Sequence, residues 1–126
     1  MAVQYSTFVN QAYTTLRKPL ERAFYLLELA GMSAQDVSAE KVDGGFLIEQ
    51  MDLREKLESI ADLVDPETVL EHLLAEISAD IKAHELEFVT AFDGGDISSA
   101  ASACVKMQYL EKLYTEAERI ESGLLD

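Results

Sequence analysis

The sequence has one cysteine and few basic residues, and each shortage excludes a class of protein. A lone Cys104 cannot form an internal disulfide, which suits a reducing compartment. Lys and Arg number 10 against 24 Asp and Glu, which gives a net charge of −14. Such a chain repels phosphate groups and anionic lipid, so neither nucleic acid nor a membrane is an expected partner. The apolar run at residues 24–27 is far too short to span a bilayer, and no targeting segment is visible.

Alternation of apolar and polar residues at a period of two is also missing, so no β-strand is predicted. Apolar residues instead recur every three or four positions along the 126 residues, which predicts an all-α protein. Residues 32–43 lack this period and are predicted to form a linker without apolar anchors. Capping residues, prolines and glycines divide the rest into helices. The first predicted helix is capped by Ser6. The other four run from Pro19 to Gly31, from Asp43 to about Leu63, from Asp65 to about Phe92, and from Asp96 to about Ser122.

Residues that could carry catalysis or hold a metal are few. His72 and His84 lie twelve residues apart on one predicted helix, too far around its circumference to share an ion. We interpret His84 as a histidine at the edge of the core, and Cys104, among alanines, as a small buried hydrophobe. The glycine pairs lack the Lys-Ser/Thr of a phosphate-binding loop. We therefore predict no catalytic residue, no cofactor, no metal and no enzymatic activity.

The helix after Asp43 has two apolar faces, where a surface helix needs one. The first face is an ordinary core stripe made of Phe46, Leu53, Leu57, Ile60 and Val64. The second holds Leu47, Ile48 and Met51, with charged residues beside them. Another element of the fold could cover this second face. Alternatively it is an exposed patch with a charged rim, which is typical of a protein-binding site.

Three stretches of the sequence resemble the HscB family of J-type co-chaperones for iron–sulfur cluster assembly. Residues 9–31, VNQAYTTLRKPLERAFYLLELAG, are similar to the end of that family's J-domain. Residues 46–60, FLIEQMDLREKLESI, resemble the opening helix of its C-terminal domain. Residues 105–113, VKMQYLEKL, resemble a segment of the last helix of that domain. Together these stretches cover nearly the whole chain in the family's order.

The resemblance implies a C-terminal three-helix bundle preceded by a two-helix remnant of a J-domain. The domains would be residues 1–31 for the remnant, 32–43 for the linker and 44–126 for the scaffold-binding and oligomerisation domain. The implied partners are an IscU-like iron–sulfur scaffold protein and a heat-shock chaperone ATPase. The family's scaffold-binding positions correspond to Leu47, Ile48, Asp52, Arg54, Glu55 and Tyr109, and the apolar patch adds Met51.

The sequence departs from the family pattern in three places. It has no His-Pro-Asp tripeptide, the motif by which J-domains act, so we expect a truncated J-domain and assign ATPase stimulation to no residue. Ser59 stands where the family can have an acid, and Gly44-Gly45 replaces a more usual Pro-acid pair, which leaves that helix start less rigid. The sequence of residues 5–10 resembles that of mitochondrial members of the family. We therefore expect the protein to be located in the mitochondrial matrix, or in the cytoplasm if it is bacterial.

Two other functions remain open from the sequence. The second apolar face could pair with itself in a helical homo-oligomer, which would show as a concentration-dependent dimer. The helices could instead enclose an apolar ligand, which would need a cavity between them.

Overall fold

The computed structural model describes residues 18–125, and every regular element among them is helical. The predicted helix capped by Ser6 lies outside the described residues. The all-α fold is confirmed for the described part of the chain. The elements are α1 (residues 18–29), α2 (Ala34–Ser38), α3 (Gly44–Glu58), a 3-10 turn (Ile60–Asp62), α4 (Pro66–Asp93) and α5 (Ile97–Leu125).

The predicted starts of α3, α4 and α5 are confirmed by their capping hydrogen bonds. The Asp43 carboxylate accepts the Phe46 N–H at 3.0 Å, and the Asp65 carboxylate accepts the Thr68 N–H at 3.4 Å. The Ser99 N–H donates to Asp96 at 3.1 Å at the start of α5. Each aspartate thereby satisfies a first-turn amide that has no partner within its helix.

Glycines end α1 and α4, as predicted. Gly31 has a φ of 96° and Gly95 a φ of 79°, a left-handed conformation that favours glycine. The residue after each glycine donates its N–H back into the helix, from Met32 to Leu27 O and from Asp96 to Ala91 O, both at 2.9 Å. These bonds are typical of a Schellman motif.

The third helix is shorter than predicted, and Val64 is not in the core. The helix α3 ends at Glu58 rather than near Leu63, and Ser59 donates its hydroxyl back to Glu55 O at 3.1 Å. The 3-10 turn changes the direction of the chain before Val64, whose side chain is fully exposed. The other four members of the predicted core stripe are buried, at 5% exposure or less.

The segment at residues 32–43 has more structure than predicted. It contains α2, which Ser33 and Asp36 cap reciprocally, and Val37 is fully buried. The expectation that this segment lacks apolar anchors was therefore wrong. Ser102 also donates its hydroxyl to Lys41 O at 3.1 Å, which ties the end of the segment to α5. The larger apolar residues Met32, Val37 and Val42 are spaced five apart in this segment, which matches neither a helical nor a strand period, so the burial of Val37 could not be predicted.

The core consists of two apolar clusters along α4 and α5, the longest helices and the main packing pair. The first cluster joins α3 and the 3-10 turn to α4 and α5 through Leu57, Ile60, Leu70 and Leu113, among others. The second joins Leu27 and other residues of α1 and α2 to Phe88 and the alanine-rich start of α5. The helix α1 therefore shares a core cluster with α4 and α5. The domain boundaries at residues 31 and 43 stay predictions.

Candidate protein-binding surface

One side of α3 exposes a patch of large apolar side chains. Leu47 is 43% exposed, Ile48 62% and Met51 63%. On the opposite side of the helix, Phe46 and Leu53 are buried in the first cluster. Since α3 is anchored by its core stripe, the second apolar face points away from the bundle. No described element buries it.

The predicted charged residues surround this patch. Asp52, Arg54 and Glu55 are all exposed on α3. Helical spacing places Glu55 one turn beyond Met51 and Asp52 one turn beyond Ile48. We call the six residues on this side the α3 face: Leu47, Ile48, Met51, Asp52, Arg54 and Glu55.

Tyr109 belongs to α5 but lies beside the start of α3. Its ring centroid is 6.4 Å from that of Phe46, at an interplanar angle of 57°, and its side chain is 43% exposed. Phe46 immediately precedes Leu47, so Tyr109 lies beside the first turn of α3, the turn that also carries Leu47. Tyr109 was predicted from the family resemblance alone. The packing of α3 on α5 explains why it lies beside Phe46.

Arg54 lies at the edge of the α3 face that borders α5. It lines a groove of about 210 Å³ whose apolar floor includes Leu57, Leu113 and Ile120. Across the groove, Glu116 pairs with Arg119, which lowers the pKa of Glu116, and the charge of Arg54 adds to that shift. Arg54 is therefore oriented between α3 and α5, while Glu55 points outward with Met51.

A polar cluster at the start of α3 was not predicted. The Lys106 ammonium lies 3.2 Å from an Asp43 oxygen and 3.5 Å from a Glu87 oxygen, and 5.8 Å from the centroid of the Phe46 ring. The Phe46 N–H and the Lys106 ammonium both lower the pKa of Asp43. The sequence feature that could have indicated this cluster is Lys106, a lone lysine in the apolar stretch from Ala100 to Met107. A cation in such a stretch needs a partner when it is buried.

His84 adjoins this cluster and has the predicted place at the edge of the core. Its Nδ1 is 2.9 Å from a Glu87 oxygen, and its ring meets the Phe46 ring edge-on at 5.5 Å. Its side chain is 21% exposed. The described residues contain no group of three or more His, Cys, Asp or Glu side chains arranged to hold a metal ion. None of the helices among the described residues combines the length and the apolar character that a membrane span requires.

Cys104 is fully buried, and burial raises the pKa of its thiol to about 12. Because the thiolate is the reactive form, we expect native protein to react with a maleimide or disulfide reagent at pH 8 about 100-fold more slowly than unfolded protein. Absorbance with and without urea measures the two rates. Equal rates would contradict the predicted role of Cys104 as a small core residue.

Comparison with known proteins decides the family. Residues 42–118 match the family model of the HSCB C-terminal oligomerisation domain. The co-chaperone protein HscB homolog of Shewanella loihica is 35% identical over 98% of this chain and 73% of its own length. The chain belongs to the HscB family of co-chaperones. A second homolog, from Vibrio parahaemolyticus, is 37% identical over 99% of the chain and 73% of its own length.

A solved HscB structure supports the same assignment. The chaperone HscB from Vibrio cholerae superposes with a TM-score of 0.74 at 36% identity, covering 98% of this chain and 72% of that one. The relatives are named co-chaperones, which is a non-enzymatic role, and the absence of catalytic activity in this chain stays a prediction. The relatives named here are bacterial, so they give the predicted mitochondrial location no support.

Proposed function

We propose that this HscB-family member is a co-chaperone of iron–sulfur cluster assembly that holds the cluster scaffold protein on its α3 face. The observation that carries the proposal is the exposure of Leu47, Ile48 and Met51 on a helix whose other side is buried. Large apolar side chains within a charged rim are the usual anatomy of a protein–protein interface.

The apolar and the charged residues of the α3 face would contribute differently to binding. Leu47, Ile48 and Met51 would supply most of the affinity, since a few buried apolar anchors dominate most interfaces. Arg54 and Glu55 would fix the orientation of the scaffold through charge complementarity. Tyr109 would add an aromatic contact at one end of the face.

The second half of the proposed role is presentation of the scaffold to a heat-shock chaperone ATPase. Its support is the resemblance of residues 9–31 to the end of a J-domain, together with the membership in the HscB family. We assign this contact to no described residue. The bacterial relatives favour a cytoplasmic site of action.

A helical homo-oligomer is the second candidate, and the description of the matching family model as an oligomerisation domain favours it. In that case the α3 face would pair with the same face of a second copy. Size-exclusion chromatography over a hundred-fold concentration range separates the two candidates. A monomer that still binds the scaffold supports the co-chaperone proposal, whereas a dimer abolished by Met51→Glu supports self-pairing.

Charge reversal at Glu55 tests the rim of the α3 face. We expect Glu55→Lys to weaken binding of an IscU-like scaffold about ten-fold at low salt, chiefly through a slower association rate. The effect should shrink towards about two-fold at 0.5 M salt, because ions screen exposed charges. Surface plasmon resonance at both salt concentrations measures it. Glu71→Lys, the same charge change on the exposed part of α4, is the matched control. Equal effects of the two variants would contradict a specific role for Glu55.

A further inference from the structure

We propose that Lys106 is a positioning residue that holds the start of α3 in register with Tyr109 on α5. The inference rests on the proposed function, since it names what aligns two parts of the scaffold-binding surface. The contacts of Lys106, a residue outside that surface, are the observations behind it.

The start of α3 has few interactions of its own that would keep it helical. Its first two residues are Gly44 and Gly45, which lose more conformational entropy on folding than any other residue. Its first turn contains no acidic side chain to interact with the helix dipole. The Asp43 carboxylate caps it, accepting the Phe46 N–H at 3.0 Å. Asp43 is itself exposed, so water competes with the Phe46 N–H for its carboxylate.

Lys106 supports this helix start by joining three helices. Its ammonium lies 3.2 Å from the capping carboxylate of Asp43 and 3.5 Å from Glu87 on α4, and it stands over the Phe46 ring. Its side chain is only 14% exposed, while the carboxylates of Asp43 and Glu87 are 63% and 45% exposed, so packing holds the lysine side of each pair in place. The lysine therefore fixes both the cap and the first apolar anchor of α3 against α4 and α5.

The position of Lys106 links this anchoring to the binding surface. Lys106 precedes Tyr109 by three residues on α5, so the two side chains lie on neighbouring turns of the same side. Phe46, which Lys106 and Tyr109 both approach, is followed directly by Leu47. Loss of the lysine contacts would let Leu47 and Tyr109 move relative to each other, and only part of the population would then present both to one partner.

Removal of the charge is the first test. We expect Lys106→Met to speed amide exchange of Phe46 and Leu47 about five-fold in the free protein, because local opening of a helix end controls that exchange. We expect it to weaken scaffold binding by about five-fold, in proportion to the lost binding-competent fraction. Hydrogen-exchange NMR and titration calorimetry with a purified iron–sulfur scaffold protein measure the two effects. Lys106→Arg, which keeps the cation, should recover most of both.

Two further variants separate positioning from general stability. Lys82→Met makes the same charge change at an exposed site on α4 and should leave exchange and affinity unchanged. Gly44→Ala stiffens the helix start, and a Cβ there meets no atom within 4 Å. Added to Lys106→Met, it should restore most of the affinity. Gly45→Ala, whose Cβ would lie 3.3 Å from the Asp43 carboxylate, should restore less.

Two results would overturn the inference. One is unchanged exchange of Phe46 and Leu47 in Lys106→Met, and the other is faster exchange there with unchanged affinity for a scaffold that still needs Leu47 and Ile48. The proposed function fails separately, if the double alanine variant of Leu47 and Ile48 binds the scaffold normally. The exchange measurement on the free protein then decides whether Lys106 holds the start of α3.

Discussion

Replacement of Leu57 by alanine is expected to destabilise the protein by about 2–5 kcal/mol, as for other large-to-small changes in a core. Leu57 is 3% exposed and packs in the first cluster, where α3 meets α4 and α5. The loss combines the transfer free energy of the missing methyl groups with the cost of the remaining cavity. Because Leu57 also lines the groove beside Arg54, partial collapse of that groove should limit the cost to the lower half of this range.

Urea unfolding followed by circular dichroism measures the change in the free energy of unfolding. Val64→Ala is the matched control, since the apolar period placed both residues in one core stripe while the structure exposes Val64. We expect less than about 0.5 kcal/mol for the control. A loss at Val64 as large as that at Leu57 would mean that α3 continues beyond Glu58 and that Val64 packs in the core.

Leu57 and Val64 also show where apolar periodicity alone predicts the fold correctly and where it does not. Apolar spacing and capping residues predicted the all-α class and the starts of α3, α4 and α5, because both are local properties of the chain. The end of α3 depends on Ser59 and on a 3-10 turn that carries Ile60 into the core. A turn of this kind is selected by packing against α4, so a helical wheel extended past residue 58 placed Val64 wrongly.

The candidate surface also contains some residues that the local sequence pattern predicted and others that it did not. Leu47, Ile48 and Met51 stood out because they fall on the side of α3 opposite its core stripe, which needs only the helical period. Tyr109 lies about sixty residues away in sequence, and only its resemblance to a family position suggested it. Lys106 was missed because its partners come from two other helices, α3 and α4, and no local pattern on α5 predicts such contacts.

Replacement of both Leu47 and Ile48 by alanine has the largest expected effect on function. We expect scaffold binding to weaken by about 2–4 kcal/mol, roughly 30-fold to 1000-fold in affinity, because buried anchors dominate interface energetics. The free energy of unfolding should change by no more than about 0.5 kcal/mol for each exposed side chain. Titration calorimetry and thermal melting on the same preparation measure both quantities.

Leu86 and Val89 provide the matched control for this variant. They are also large, exposed apolar side chains, 67% and 45% exposed, but they lie on α4, outside the α3 face. Their double alanine variant should bind the scaffold normally. If Leu47 and Ile48 were instead covered by another part of the fold, their replacement would lower the melting temperature by several degrees, and binding would fall only with the folded fraction. A variant that melts early, or a control that binds as weakly, would therefore remove the α3 face as the site of scaffold binding.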